Sequence, residues 1–256
     1  MMAAFIEPDS LAAMNGGTLF YPSAGEDWNE FLDLFSDHVD EFLFSDIKYN
    51  FDRKLPSPFS NPAAYKLLKS NIQGRTTTRL IRNYGTAENG RTYSFLDPGR
   101  LTEVYENVLS RKRITVIRRR GFGQYALAEI PDHSIKIFVH RGDSPGESGS
   151  NVYYLGNVRR RHPPLSNLFN TLTKKLANRA LVVSDGSNTS FKFLRKFHRI
   201  YDWSGEKAFA YQRNMPPRRR GPFEWRCVGY ISSRYGPTLV WDIKRVDGSP
   251  VYTLTQ

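Results

Sequence analysis

The sequence predicts an α/β protein: a single doubly wound, mostly parallel sheet with helices on both faces. Apolar runs typical of buried strands alternate with stretches of helical periodicity, and four of the runs end in small residues that carry an acid. With 256 residues, 39% hydrophobic and 14% aromatic, the chain is sufficient for one large domain, which we place over 1–256. An inserted β-hairpin over about 111–130 and antiparallel C-terminal strands over about 208–246 complete this prediction.

The first elements predict a parallel strand pair joined by a helix. Residues 18–21 form an apolar strand, and 27–39 repeat apolar side chains at helical spacing. Asp27 is a favoured N-cap type, and Glu30 completes a variant of the capping box. Residues 41–44 form the second strand, so the three elements follow within roughly 30 residues, the size of a βαβ unit.

The rest of the chain continues the alternation of apolar runs and helical periodicity. Two apolar stretches around a glycine-containing turn predict the hairpin at 111–130. Predicted helices cover 63–71, 98–109, 164–177 and 191–198. Predicted strands cover 76–83, 132–139, 178–184, 208–213, 223–232 and 238–246.

The charge balance predicts anionic partners. The net charge is +12 and the pI is about 9.8, which favours nucleic acid, nucleotide phosphates or an acidic protein surface. The single cysteine, Cys227, excludes an internal disulfide and a cysteine zinc site, which fits a reducing cytoplasm. Because the sequence shows neither a secretory leader nor a membrane-spanning run, we expect a cytoplasmic protein without a membrane partner.

Strand ends supply the candidate site. If the apolar runs are parallel strands of one sheet, their C-terminal ends meet at one edge, where open α/β sheets bind ligands. Small residues followed by a helix N-terminus let a ligand reach the backbone, and an acid about 20 residues later can hold a ribose. The predicted cofactor-binding residues are Ser23, Gly25, Asp27 and Asp46.

A polar loop after the third run supplies the candidate catalytic residues. Residues 140–151 combine glycines, serines, a proline and acids directly behind an apolar strand, and loops at such an edge often carry function. Asp143 and Glu147 can act as general base or hold a cation, and Asp185 follows the fourth run. We therefore predict Asp143, Glu147 and Asp185 as catalytic residues.

At fold level this order of elements resembles the class I methyltransferases that use S-adenosylmethionine, a family of Rossmann-like fold. In that family a glycine-containing loop follows strand one, an acid ends strand two, and catalytic or substrate residues follow strand four. The sheet closes with an antiparallel last strand. The resemblance covers 18–246 in topology, and it implies S-adenosylmethionine as cofactor at Gly25 and Asp46.

Arginine clusters predict the surface that contacts an anionic partner. Exposed arginine binds phosphate in two-pronged geometry, and neighbouring aromatic residues can stack on bases. The predicted nucleic-acid-binding residues are Arg118, Arg119, Arg120, Arg159, Arg160, Arg161, Arg218, Arg219 and Arg220.

Three functions follow from these patterns. The first is a methyltransferase-like enzyme that binds a nucleotide-type ligand at the carboxyl edge and an anionic substrate, including nucleic acid. The second is a non-enzymatic protein that binds nucleic acid or an acidic protein on the same scaffold. The third is a metal-dependent hydrolase or nuclease, in which Asp27, Asp143, Glu147 and Asp185 surround a divalent metal.

Overall fold

The computed structural model describes most of the chain. The described residues are 4–46, 49–52, 55–74, 81–83, 92–94, 99–121, 123–141, 168–187, 189, 191–198, 200, 202–232 and 237–246. Their helices are α1 (Pro8–Ala12), α2 (Trp28–Phe35), α3 (Gly123–Glu129), α4 (Leu168–Lys175), α5 (Lys192–Arg195) and α6 (Gly205–Gln212). Their strands are β1 (Ala4–Ile6), β2 (Thr18–Pro22), β3 (Glu41–Asp46), β4 (Tyr65–Gln73), β5 (Ile81–Asn83), β6 (Thr92–Ser94), β7 (Arg100–Asn107), β8 (Arg113–Arg120), β9 (Ile135–His140), β10 (Leu176–Ser184), β11 (Arg218–Arg220), β12 (Phe223–Ile231) and β13 (Thr238–Arg245).

A mixed sheet of 11 strands dominates the structure. Its order is β1-β12-β13-β10-β9-β2-β3-β8-β7-β4, with β11 paired to β12, and β5 and β6 form a separate pair. The inner strands β10, β9, β2, β3 and β8 are parallel neighbours. The other pairings of this sheet are antiparallel.

The predicted fold class is wrong. Most pairings of the large sheet are antiparallel, and the helices are few and short, so this is not a doubly wound, mostly parallel sheet. The same finding removes the structural basis of the class I methyltransferase resemblance. The sequence prediction failed at the flanks of the sheet, because several segments there were assigned the wrong element.

Residues 98–109 show how the flank was misassigned. Leu101 and Tyr105 are spaced as on one helix face, but the segment contains strand β7. The buried residues of β7 are Leu101, Glu103 and Tyr105, at every second position. The glutamate among them interrupts the apolar alternation that is typical of a strand. Residues 63–71, also predicted as a helix, instead contribute to β4, an exposed strand at the end of the sheet.

The predicted inserted hairpin is also absent from the described residues. Its first half is β8, which pairs parallel with β3, whereas its second half contains helix α3. The segment 208–213, predicted as a strand, belongs largely to α6. The final strands β12 and β13 pair antiparallel.

The core lies on both faces of the sheet. Successive β2 residues alternate between the faces: Leu19 and Tyr21 join the cluster that contains α2, whereas Phe20 joins the cluster beneath α3, α4, α5 and α6. Because the inner parallel strands are buried on both sides, their sequences are near-continuous apolar runs. Among the described residues, no helix has the length and apolar character needed to cross a membrane.

Candidate functional site at the carboxyl edge of the parallel strands

Four parallel strands end side by side at one edge of the sheet. β10, β9, β2 and β3 are consecutive neighbours, with Ser184 opposite His140 and Pro22 opposite Ser45. The segments that leave these ends therefore share one edge. The loops that follow parallel strands begin at this edge, and α/β sheets commonly bind ligands there.

The turn between β2 and α2 is fixed to the end of β3. Ser23 and Gly25 have φ values of 55° and 53°, in the left-handed region that favours glycine. The Ala24 amide donates to the Ser45 carbonyl at 3.2 Å, and the Gly25 amide donates to the Asp46 carboxylate at 2.9 Å. A Cβ built on Gly25 would meet no described atom within 4 Å, so glycine serves the turn conformation and leaves open space above it.

Asp46 is the acid of this edge that contacts the β2–α2 turn. Its residue is buried, its carboxylate accepts from Gly25, and its carbonyl accepts from the Gly121 amide at 3.1 Å. Asp46 also lies opposite Arg120 on the neighbouring strand β8. The Gly25 amide thus holds the carboxylate, and the bond from Gly121 and the pairing with β8 hold the Asp46 backbone.

Tyr49 adds a buried hydroxyl beside Asp46. Burial raises the pKa of the Tyr49 phenol well above its usual value, and the nearby Asp46 carboxylate raises it further. The Tyr49 ring packs 5.5 Å from Trp28, centroid to centroid. Within the described part of the chain, its hydroxyl has no hydrogen-bond partner. A neutral donor is therefore available close to the carboxylate.

A buried ion pair lies at the end of β9. Arg141, directly after β9, donates from its guanidinium to Glu30 of α2 at 2.6 Å and lies over the Phe31 ring. Burial alone would lower the pKa of Arg141, but the Glu30 carboxylate raises it, so the guanidinium stays charged. Burial raises the pKa of the Tyr21 phenol, and Arg141 opposes this effect.

Asp185 shapes the turn after β10. Its carboxylate accepts from the Ser187 amide at 2.8 Å, and its own amide donates to the His140 carbonyl at 3.3 Å. Gly186 has a φ of 77°, and a Cβ there would lie 2.1 Å from the Leu194 carbonyl oxygen. Only glycine fits this turn, which packs against α5.

The predicted site residues are only partly brought together. Ser23, Gly25, Asp27 and Asp46 cluster at the ends of β2 and β3, whereas Asp185 lies across β9 at the end of β10. Asp27 occupies the N-cap position of α2, but its side chain makes no described capping hydrogen bond. Asp143 and Glu147 lie outside the described residues.

At the end of β8, Arg118 and Arg119 are buried, whereas Arg120 is half-buried. Arg118 is buried, forms an ion pair with Glu103, donates to the Pro56 carbonyl at 3.2 Å and lies over the Trp28 ring. Arg119 donates to Glu129 of α3. Arg218, Arg219 and Arg220 form β11, and Arg159, Arg160 and Arg161 lie outside the described residues.

Sequence reasoning missed two features of the edge. Glu30 was assigned to a capping box, yet it pairs with Arg141, far away along the chain. Tyr49 follows β3 in a loop and received no role, although an aromatic residue shortly behind Asp46 was a usable signal. The Glu30–Arg141 pair has no local sequence signal, because only the neighbouring positions of α2 and β9 create it.

Comparisons with known proteins add no family. No protein-family model matches the chain, and neither a curated protein nor a solved structure matches it. No family evidence therefore supports the resemblance to class I methyltransferases, which the sheet topology contradicts. Among the described residues, no group of three or more His, Cys, Asp and Glu is arranged to hold a metal ion.

Proposed function

We propose that the protein binds a nucleoside-type ligand at the ends of β2 and β3, with the Asp46 carboxylate accepting hydrogen bonds from the ribose hydroxyls. The observation that supports this most is the 2.9 Å bond from the Gly25 amide to Asp46, beneath open space at the turn. A carboxylate has about four acceptor sites, so it can accept ligand hydroxyls in addition to bonds from the protein.

The charges of this edge favour a ligand without phosphate. Acids surround the β2–α2 turn, and the nearby Arg141 is neutralised by Glu30. Asp27 and Glu26 lie in the turn itself. A nucleoside with a neutral or positively charged substituent meets less repulsion here than a di- or triphosphate.

Binding titrations with chosen ligands test the proposal. Adenosine, guanosine, cytidine, uridine, S-adenosylmethionine and ATP are titrated separately by isothermal calorimetry. We expect at least one ribonucleoside or S-adenosylmethionine to bind more tightly than ATP. The 2′-deoxy form of the binding nucleoside should be weaker by about tenfold, because a hydrogen bond to a charged acceptor is lost.

Variants locate the ligand. Asp46→Asn keeps the size of the side chain and removes its charge, so the dissociation constant should rise about tenfold or more. Glu206→Gln, an exposed acid on α6, is the matched control and should leave binding unchanged. No binding of any probe at millimolar concentration, or equal binding by Asp46→Asn, would overturn the proposal.

A further inference from the structure

The segment from α5 to β11 is rich in positive charge. Its described residues include only two acids, Asp202 and Glu206. We call its cations the cationic surface: Lys192, Arg195, Lys196, Lys207, Arg213, Arg218, Arg219 and Arg220. All of them are exposed except Arg218, which is half-buried.

Aromatic rings, rather than carboxylates, hold several of these cations. The Lys196 ammonium lies 4.0 Å from the centroid of the Tyr211 ring. The Lys207 ammonium lies 4.5 Å from the centroid of the Trp203 ring. A ring face attracts a cation without cancelling its charge, so these ammonium groups are positioned and remain positive.

The same arrangement continues into α6 and β11. The Arg213 guanidinium lies over Phe209, and that of Arg218 lies 5.7 Å from the centroid of Phe193 in α5. The contact with Phe193 places β11 beside α5. Ring contacts among Phe197, Trp203 and Tyr211 join the chain behind α5 to α6, so the elements that carry the cations pack against one another.

Most cations here have no acid partner. In the described part of the chain, no ion pair is formed by Lys192, Arg195, Lys196, Lys207, Arg213, Arg218 or Arg220. Elsewhere the described arginines are commonly paired, as Arg118, Arg141 and Arg179 are. A row of unneutralised cations is suited to a partner that brings repeated negative charge.

We propose that the cationic surface binds single-stranded nucleic acid, with the lysines and arginines contacting phosphates. Tyr211 is 38% exposed as a residue, and an exposed aromatic side chain beside cations can stack on a base. A duplex hides its base faces, and an acidic protein offers no bases. The combination of rings and unpaired cations therefore favours a single strand over both.

Fluorescence anisotropy with a short labelled single-stranded oligonucleotide tests this assignment. Lys207→Gln with Arg213→Gln removes two charges of the cationic surface. Lys66→Gln with Lys69→Gln removes two exposed charges from β4, at the far end of the sheet. We expect about tenfold weaker binding at ~100 mM salt from the first pair and less than about twofold from the second.

Salt dependence and ligand type sharpen the result. The slope of log affinity against log salt should fall by about 0.7 for each phosphate contact removed. Tyr211→Leu keeps every charge, so it should weaken single-strand binding about fivefold and leave duplex binding unchanged. RNA and DNA strands of one sequence are compared in parallel. Circular dichroism confirms that each variant is folded.

Three results would overturn the proposal. One is equal loss in both double variants, which would show a response to net charge alone. Another is binding of polyglutamate or of a duplex as tight as that of the single strand. The third is no binding of the unaltered protein to the oligonucleotide at low salt.

Discussion

Two arginine triplets of this protein have different environments. Arg118, Arg119 and Arg120 end β8, an inner strand between β3 and β7, and Arg118 and Arg119 are paired with Glu103 and Glu129. Arg218, Arg219 and Arg220 form β11, which pairs only with β12 among the described strands. There, Arg219 and Arg220 are exposed, and Arg218 rests on an aromatic ring.

The difference shows that position in the sheet decides what an arginine run does. An arginine on an inner strand must be desolvated, so it requires a carboxylate and becomes part of the core. An arginine on a short edge strand stays hydrated and keeps its charge for an external anion. The sequence of three arginines is the same in both places and therefore does not by itself indicate a binding surface.

The largest effect should come from breaking the buried pair of the β8 triplet. Glu103→Gln removes the partner of Arg118, which is 1% exposed, and leaves its charge buried. We expect the free energy of unfolding to fall by about 3–5 kcal/mol. Urea unfolding followed by tryptophan fluorescence measures it.

Its control lies opposite the other triplet. Glu224 is exposed and faces Arg219 across β11 and β12, so Glu224→Gln should cost less than about 1 kcal/mol. The double change Glu103→Leu with Arg118→Met should recover most of the lost stability, because an apolar pair needs no charge compensation. Equal losses from Glu103→Gln and Glu224→Gln would contradict the comparison of the two triplets.

The same buried pair explains one of the misassigned elements, β7. Inner strands such as β2 and β9 were predicted at nearly their observed positions, because burial on both faces leaves a continuous apolar run. β7 was predicted as a helix, because Glu103 interrupts its inward apolar positions. That glutamate is explained only by Arg118 on the neighbouring strand, and a single sequence does not reveal this pairing.

The candidate site was also predictable only in part. The proximity of Gly25 and Asp46 was predictable because it depends on local chain geometry: a turn after one strand and an acid at the end of the next. Their binding role stays a prediction. Glu30 and Arg141 were missed because their roles depend on two segments that meet only in the folded protein. Short-range patterns therefore located the edge, but they did not reveal its electrostatics.

A smaller loss of stability should come from replacing Arg119, the arginine of the β8 triplet whose ion-pair partner is exposed. Its side chain is 7% exposed, but its partner Glu129 is 48% exposed and reaches water. Arg119→Gln should therefore cost only about 1 kcal/mol in the same urea assay, well below Glu103→Gln. Arg111→Gln, which breaks an exposed pair with Glu106, is the control and should stay within about 0.5 kcal/mol. If Arg119→Gln lowered the free energy of unfolding as much as Glu103→Gln, the exposure of the partner carboxylate would not decide the stability of these ion pairs.

The smallest effect on stability should come from replacing the whole β11 triplet with glutamine. β11 pairs with β12 through its backbone, and the Trp225 indole donates to the Arg220 carbonyl at 3.2 Å, so neither interaction needs an arginine side chain. We expect the free energy of unfolding to change by less than about 1 kcal/mol.

Cys227 on β12 reports whether that strand stays closed in the triple variant. Burial raises the pKa of its thiol to about 12, so the thiol of the folded protein stays protonated at pH 8. Since the thiolate is the reactive form, labelling by a disulfide reagent should be slow in the folded protein and fast in urea. The triple variant should label as slowly as the unaltered protein while it loses affinity for the oligonucleotide. Fast labelling of the folded variant would instead show that the arginine side chains of β11 are needed to keep β12 closed.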